Sequence, residues 1–200
     1  MRSLKFLSFF LLLASLPAVA QVGLYSEFST TNIQAVGEPR MYGITFGVYK
    51  DKSFKRHLSF LSLGPDVRLS LQSGTVGSGI YSGGPAQSLV GFLLGPRLAF
   101  KLPVASRLHP YLEGLIGGGD SQIGELIPDG APGNTNDINK NGGGTMMGQI
   151  LGGLDLKLSS HVDWRAVEFD YGGIFASAGG IQDLGITTFS TGIVVRLPQH

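Results

Sequence analysis

Large apolar residues alternate with small or polar ones in eight stretches, at about 22–31, 41–50, 58–72, 87–101, 107–117, 145–158, 163–175 and 186–197. In the last stretch Phe189, Ile193, Val195 and Leu197 share one parity, and Thr188, Ser190, Gly192 and Arg196 share the other. A period of two gives a strand one apolar and one polar surface. A soluble sandwich would turn the polar face outward. Here the charges are flanked by small residues, which favours the inverted case, apolar out and polar in, the pattern of a transmembrane β-barrel. Eight strands suit a small closed antiparallel up-and-down barrel, and each stretch can supply the roughly 9 to 11 residues that a tilted strand needs to cross a bilayer.

The connections carry an independent signal, because consecutive ones in such a barrel lie at opposite ends. The longest, Ser73–Ala86 and Gly118–Gly144, are odd-numbered, as are Asn32–Arg40 and Ala176–Gly185 of moderate length; the even-numbered Asp51–His57, Leu102–Ser106 and Ser159–Val162 are shorter. Short periplasmic turns and longer external loops are the usual asymmetry of outer-membrane barrels, so both termini are expected on the periplasmic side. Pro65 and Pro96 fall inside predicted strands, where a missing donor points to a bulge or bend.

Residues 1–20 carry Arg2 and Lys5, an apolar run from Phe6 to Leu16, and Ala18-Val19-Ala20 before Gln21. This reads as a cleaved secretory signal peptide, since the run is about half the length a membrane-spanning helix requires. Residues 21–200 then form one barrel domain. The chain contains no Cys, which excludes a lipid anchor on a cysteine and any disulfide. Of the 15 basic residues, 13 remain without Arg2 and Lys5, against 14 acidic ones, so no nucleic-acid partner is implied. Charged residues make up 14% of the chain, where about 25% is usual for a soluble protein, leaving little for a wetted exterior. Past the signal no apolar run approaches 18 residues, and a closed barrel is the remaining way across a bilayer.

Parity assigns the inward side chains: Glu27 in strand one; Asp66 and Arg68 in strand three; Arg97 and Lys101 in strand four; Glu113 in strand five; Asp155 and Lys157 in strand six; Glu168 and Asp170 in strand seven; and Arg196 in strand eight. These six acids and five bases are close to balance, and enclosed charges must pair or bind water. A salt-bridged plug is therefore favoured over a selectivity lining or proton path in a lumen that eight strands make just wide enough for side chains. Inward glycines Gly43, Gly47, Gly91, Gly95 and Gly192 leave room for long side chains or relieve curvature. Tyr42 and Tyr171 have the outward parity of an interfacial girdle, whereas Tyr49 and Trp164 have inward parity.

Chemical motifs are weak. Asp137-Ile138-Asn139-Lys140-Asn141-Gly142 matches the first half of a calcium loop, but Gly148 stands where the bidentate Glu belongs, so no metal site is assigned. His57, His109, His161 and His200 all fall at the expected periplasmic end. Ser159-Ser160-His161-Val162-Asp163 holds triad residue types, but neighbours in extended chain point to opposite faces. No catalytic or cofactor-binding residue is assigned, and no cofactor is implied.

Residues 163–171 (DWRAVEFDY) and 190–197 (STGIVVRL) resemble the small OmpA-type eight-stranded barrels, the outer-membrane protein β-barrel domain family, over Gln21 to about Leu197. The resemblance implies residence in outer-membrane lipid, assembly by the outer-membrane insertion machinery, and roles in envelope integrity or surface adhesion. The chain departs from the family in ending Leu197-Pro198-Gln199-His200 rather than on an aromatic residue, and no peptidoglycan-binding domain is expected. The leading expectation is a monomeric, non-enzymatic structural or adhesive barrel whose external loops meet any extracellular ligand. A small-solute channel, an envelope enzyme and a soluble periplasmic lipid-binding barrel are the alternatives.

Overall fold

A computed structural model describes residues 21–34, 40–54, 58–75, 86–125, 139–177 and 184–197. Eight strands follow one another: β1 (Gln21–Ile33), β2 (Arg40–Ser53), β3 (Leu61–Thr75), β4 (Ala86–Phe100), β5 (Leu108–Glu125), β6 (Asn139–Lys157), β7 (Val162–Ser177) and β8 (Leu184–Arg196). Each pairs antiparallel with the next, and β1 pairs with β8, so the sheet closes on itself. Gly23 lies opposite Arg196, which puts both ends of the barrel at the rim that carries the three short turns. Segment 1–20 lies outside the described residues.

The alternation fixes which surface faces out. Phe28, Phe46, Phe92, Ile116, Ile150, Phe169 and Phe189 are exposed, and the residues beside them in each strand are buried or half-buried. Such an apolar wall around a closed sheet is stable only against hydrocarbon, since no edge strand or backbone polar group is left to need water. The fold is that of an eight-stranded transmembrane barrel. A soluble lipid-binding barrel would require the opposite arrangement and is excluded. Tyr42 and Tyr171 point outward, and Tyr49 is buried in the lumen.

Three expectations change. First, the hairpin β5–β6 continues in register up to Glu125 opposite Asn139, so Gly118–Gly119 and Gly142–Gly144 are strand rather than loop. The loop contracts to 126–138, and connections 34–39 and 178–183 are no longer than turns 54–60 and 101–107. Glycine-rich composition reads as loop in isolation, but each run ladders against residues that carry side chains, Gly118 and Gly119 opposite Met146 and Thr145, and Gly142, Gly143 and Gly144 opposite Gln122, Ser121 and Asp120. Asn139–Gly142, the latter part of the calcium-like motif, are paired in this ladder, which is incompatible with the sharp turn that a calcium loop makes at its Gly; Asp137 and Ile138 lie outside the described residues.

Second, Pro65 and Pro96 make no bulge. They face each other across β3–β4 with one-to-one register on both sides, and it is the outer ladders, to β2 and to β5, that skip them. The β3–β4 ladder thus stays unbroken, and each missing donor is taken from an outer ladder.

Third, β7 carries a bulge that its sequence parity conceals. Asp155 pairs with Arg165 but Leu154 pairs with Val167; on the other side Gly192 pairs with Arg165 and Ser190 with Glu168. One extra residue between Arg165 and Glu168 reverses the phase of the strand. Asp163 and Arg165 therefore point inward in the first half, and Glu168 and Asp170 in the second, while Trp164 turns outward. Thr191 closes the bulge, its hydroxyl donating to the Arg165 carbonyl at 2.9 Å and accepting from Trp164 Nε1 at 3.2 Å.

Candidate functional site

The interior has two tiers. Towards the loop rim it is apolar: Ile33, Met41, Leu89, Leu93, Leu115, Met147, Leu151, Ile174 and Ile186 form one buried cluster. Their inward parity is visible in the sequence, but charged neighbours on the same faces draw the eye away from them. Hydroxyl side chains fill the adjoining wall, with Thr31 Oγ1 2.8 Å from Thr188 Oγ1 and Thr45 Oγ1 3.3 Å from Ser70 Oγ.

Towards the turn rim three arginines, each at most 2% exposed, organise the charge. Arg68 grips Glu168 with both terminal nitrogens, at 2.8 and 3.1 Å, reaches Glu113 at 3.2 Å and donates from Nε to the Tyr25 hydroxyl at 3.1 Å. Arg97 donates to Glu113 Oε1 at 2.5 Å and to Asp155 Oδ2 at 3.0 Å, with Asp51 3.6 Å from its Nε. Arg165 donates from Nε to Asp155 Oδ1 at 2.9 Å, and from Nη1 to Glu168 Oε2 at 3.1 Å and to Glu27. Asp170 lies 3.8 Å from Arg68, and Asp66 accepts from Tyr25 at 2.8 Å. Every strand from β1 to β7 contributes a member. Such forked, desolvated pairs hold only where geometry satisfies both partners.

Tyrosines carry the guanidinium faces. Arg97 lies 3.7 Å from the Tyr111 ring centroid and 4.2 Å from that of Tyr49, and Arg165 lies 4.3 Å from that of Tyr25. Each ring in turn covers a glycine on the next strand: a Cβ at Gly47 would come within 2.2 Å of Tyr25, one at Gly23 within 2.3 Å of Tyr49, and one at Gly153 within 2.2 Å of Tyr111. Gly47 thus makes room as expected, but for an aromatic ring rather than an arginine.

A second, smaller cluster lies at the turn rim. Arg196 pairs with buried Asp163, donates to His109 Nδ1 at 2.7 Å, and has Gln21 Oε1 at 3.5 Å.

Nine of the eleven expected lumen residues are inside: Glu27, Asp66, Arg68, Arg97, Glu113, Asp155, Glu168 and Asp170 are buried, and Arg196 is half-buried. Lys101 and Lys157 are not. β4 ends at Phe100 and Lys101 turns onto the rim, bonded to Ser53 Oγ at 2.6 Å; Lys157 is the last residue of β6 and is exposed. A strand's final residue has passed the barrel wall, and a flexible ammonium goes to water. Asp51, Asp163 and Arg165 are the members that parity missed, the last two because of the bulge. The two clusters then hold eight carboxyls against four guanidiniums, and the near-balance of the parity assignment is replaced by an acid surplus.

Ser160 Oγ and His161 Nδ1 do meet, at 2.7 Å in the exposed β7 turn, but Asp163 points away into the lumen to Arg196, so no triad forms. His57 and His200 lie outside the described residues.

No family model matches the chain, and no curated protein matches it. Among solved structures, Neisserial surface protein A is similar with a TM-score of 0.52 at 11% identity, over 89% of this chain and 99% of that one. Ail, the attachment invasion locus protein of Yersinia pestis, gives 0.46 at 11% over 89% and 97%. The N-terminal β-barrel domain of Pseudomonas aeruginosa OprF gives 0.43 at 15% over 89% and 99%. At these identities the likeness is one of fold.

Proposed function

We propose that the protein is a non-enzymatic outer-membrane barrel, closed by its own side chains, that serves the envelope as a rigid structural or adhesive support for its loops. The observation that carries this reading is the filling of the lumen twice over: the arginine network ties seven strands together near one rim, and the apolar cluster beside Leu93 and Met147 occupies the other half. Water and ions crossing such a barrel would have to break several desolvated ion pairs and then wet an apolar packing. With the rim that bears the two longest connections, 76–85 and 126–138, facing outward, the three turns and both termini lie in the periplasm. The surface is then an inert wall and the recognition surface is the loop end.

Planar-bilayer recordings of the purified protein test closure, and the expected result is no stable, reproducible open level. A steady conductance whose ion preference changes on neutralising Arg97 or Glu168 would overturn it. Co-fractionation with outer membrane tests location. The acid surplus favours one second reading, a small-solute channel: a conducting form would prefer cations, because eight carboxyls face four guanidiniums along its path.

A further inference from the structure

The exposed charges of the turn rim point to a partner that the closed interior does not need. We propose that the half of this rim formed by the ends of β2 to β6 is a docking surface for anionic phospholipid headgroups in the leaflet it faces. The inference rests on the proposed placement in a membrane.

Lys52, Lys101, Arg107 and Lys157 are all exposed there. The turns that bear them are joined: Lys101 Nζ bonds Ser53 Oγ at 2.6 Å, Lys101 N bonds the Phe60 carbonyl at 2.7 Å, and Lys157 N bonds the Arg107 carbonyl at 2.8 Å. The cations therefore form one arc rather than four separate points. Among the described residues no exposed acid accompanies them, because Asp51, Asp155 and Asp163 at this end turn inward to arginines. Apolar side chains stand between the charges. Phe54 and Phe60 are 41% and 45% exposed, and Val104 is 98% exposed. A soluble rim gains nothing from a bare valine beside a lysine. At a bilayer interface the apolar group enters the acyl boundary while the neighbouring cation meets a phosphate. The β6–β7 turn, Leu158 to His161, is exposed and carries no lysine or arginine, and Arg196 beyond it is paired inward with Asp163, so the anionic lipid would collect on one side of the barrel.

The test uses the full chain refolded into nanodiscs of phosphatidylcholine with one fifth phosphatidylglycerol, with retained lipid counted by native mass spectrometry. The expected result is an enrichment of the anionic lipid of at least about tenfold, since each cation near an anionic surface contributes about fivefold. It should fall towards parity in the quadruple variant Lys52→Gln, Lys101→Gln, Arg107→Gln, Lys157→Gln and persist in Arg40→Gln at the opposite rim. No enrichment in the native chain, equal enrichment in the quadruple variant, or displacement of the lipid by millimolar inorganic phosphate would each overturn the docking surface. Failure of the native chain to enter the bilayer, seen as absence of the heat-dependent gel shift, would overturn the membrane reading with it.

Discussion

Arg165 and Lys157 exchange roles between the parity of the chain and the folded barrel, and replacing each by Met puts the difference on a free-energy scale. Arg165 is fully buried, holds Asp155, Glu168 and Glu27, and lies against the Tyr25 ring. Met keeps most of the volume and removes the charge, so three carboxyls lose their shared partner. Asp155 and Glu168 keep Arg97 and Arg68, but Glu27 is left buried without its arginine, and removing one member of a buried pair costs about 3 to 5 kcal/mol. With a urea slope of about 2 kcal/mol/M, 4 kcal/mol moves the unfolding midpoint by about 2 M. Lys157→Met changes an exposed strand end and should stay within about 0.5 kcal/mol. Adding Glu27→Gln to Arg165→Met removes the stranded charge and should recover part of the loss, which a double-mutant cycle would score as coupling. The assay is equilibrium urea unfolding of the barrel refolded in vesicles, followed by tryptophan fluorescence, for which Trp164 is the single reporter. Equal midpoints for the two Met variants would refute the re-phased β7 and the network built on it.

Leu69→Lys should cost about 2 to 4 kcal/mol in the same unfolding assay, because Leu69 faces hydrocarbon, while Ser70→Lys on the lumen side should cost less; equal costs would contradict the assignment of faces. Gly153→Val should destabilise by at least 1 to 3 kcal/mol of overpacking, because its Cβ would meet the Tyr111 ring at 2.2 Å, and Tyr111→Leu in the same chain should relieve part of this. Deleting 126–138 should leave the heat-dependent gel shift intact, since Glu125 and Asn139 already face each other across the hairpin.

The number of strands, their approximate bounds and the outward face were legible because one rule, alternation, governs all eight strands and the membrane leaves no other use for it. Asp66, Arg68, Arg97 and Glu113 could be placed by that rule alone, since their strands run without a break across the middle of the barrel. Arg165 could not be placed, because the bulge at Ala166–Val167 has no marker in the sequence: neither residue is Gly or Pro, and the evidence for it lies in Thr191 on another strand. Lys101 and Lys157 failed for a different reason, that parity says which way a residue points but not where the wall ends. Tyr25 and Tyr111 were within reach, each two residues from an inward Glu, and their matching glycines on adjacent strands needed only the register.

The stacking of an apolar tier on a charged one makes the barrel a vessel with a stopper at one mouth. Side chains in the network thin out to partial exposure only at the turn rim, where Asp51, Arg196 and His109 reach 13, 14 and 17%. Ile33, Met41 and Ile186 at the loop rim are at most 1% exposed. Solvent exchange with the arginine network is thus one-sided: protons, salt and small denaturant molecules arrive from the compartment that holds the termini, and the medium beyond the loops is shut off from it. Two solutions of different ionic strength placed across an oriented bilayer would therefore not be interchangeable. The same salt step that loosens the ion pairs from the turn side would leave them untouched when applied from the loop side.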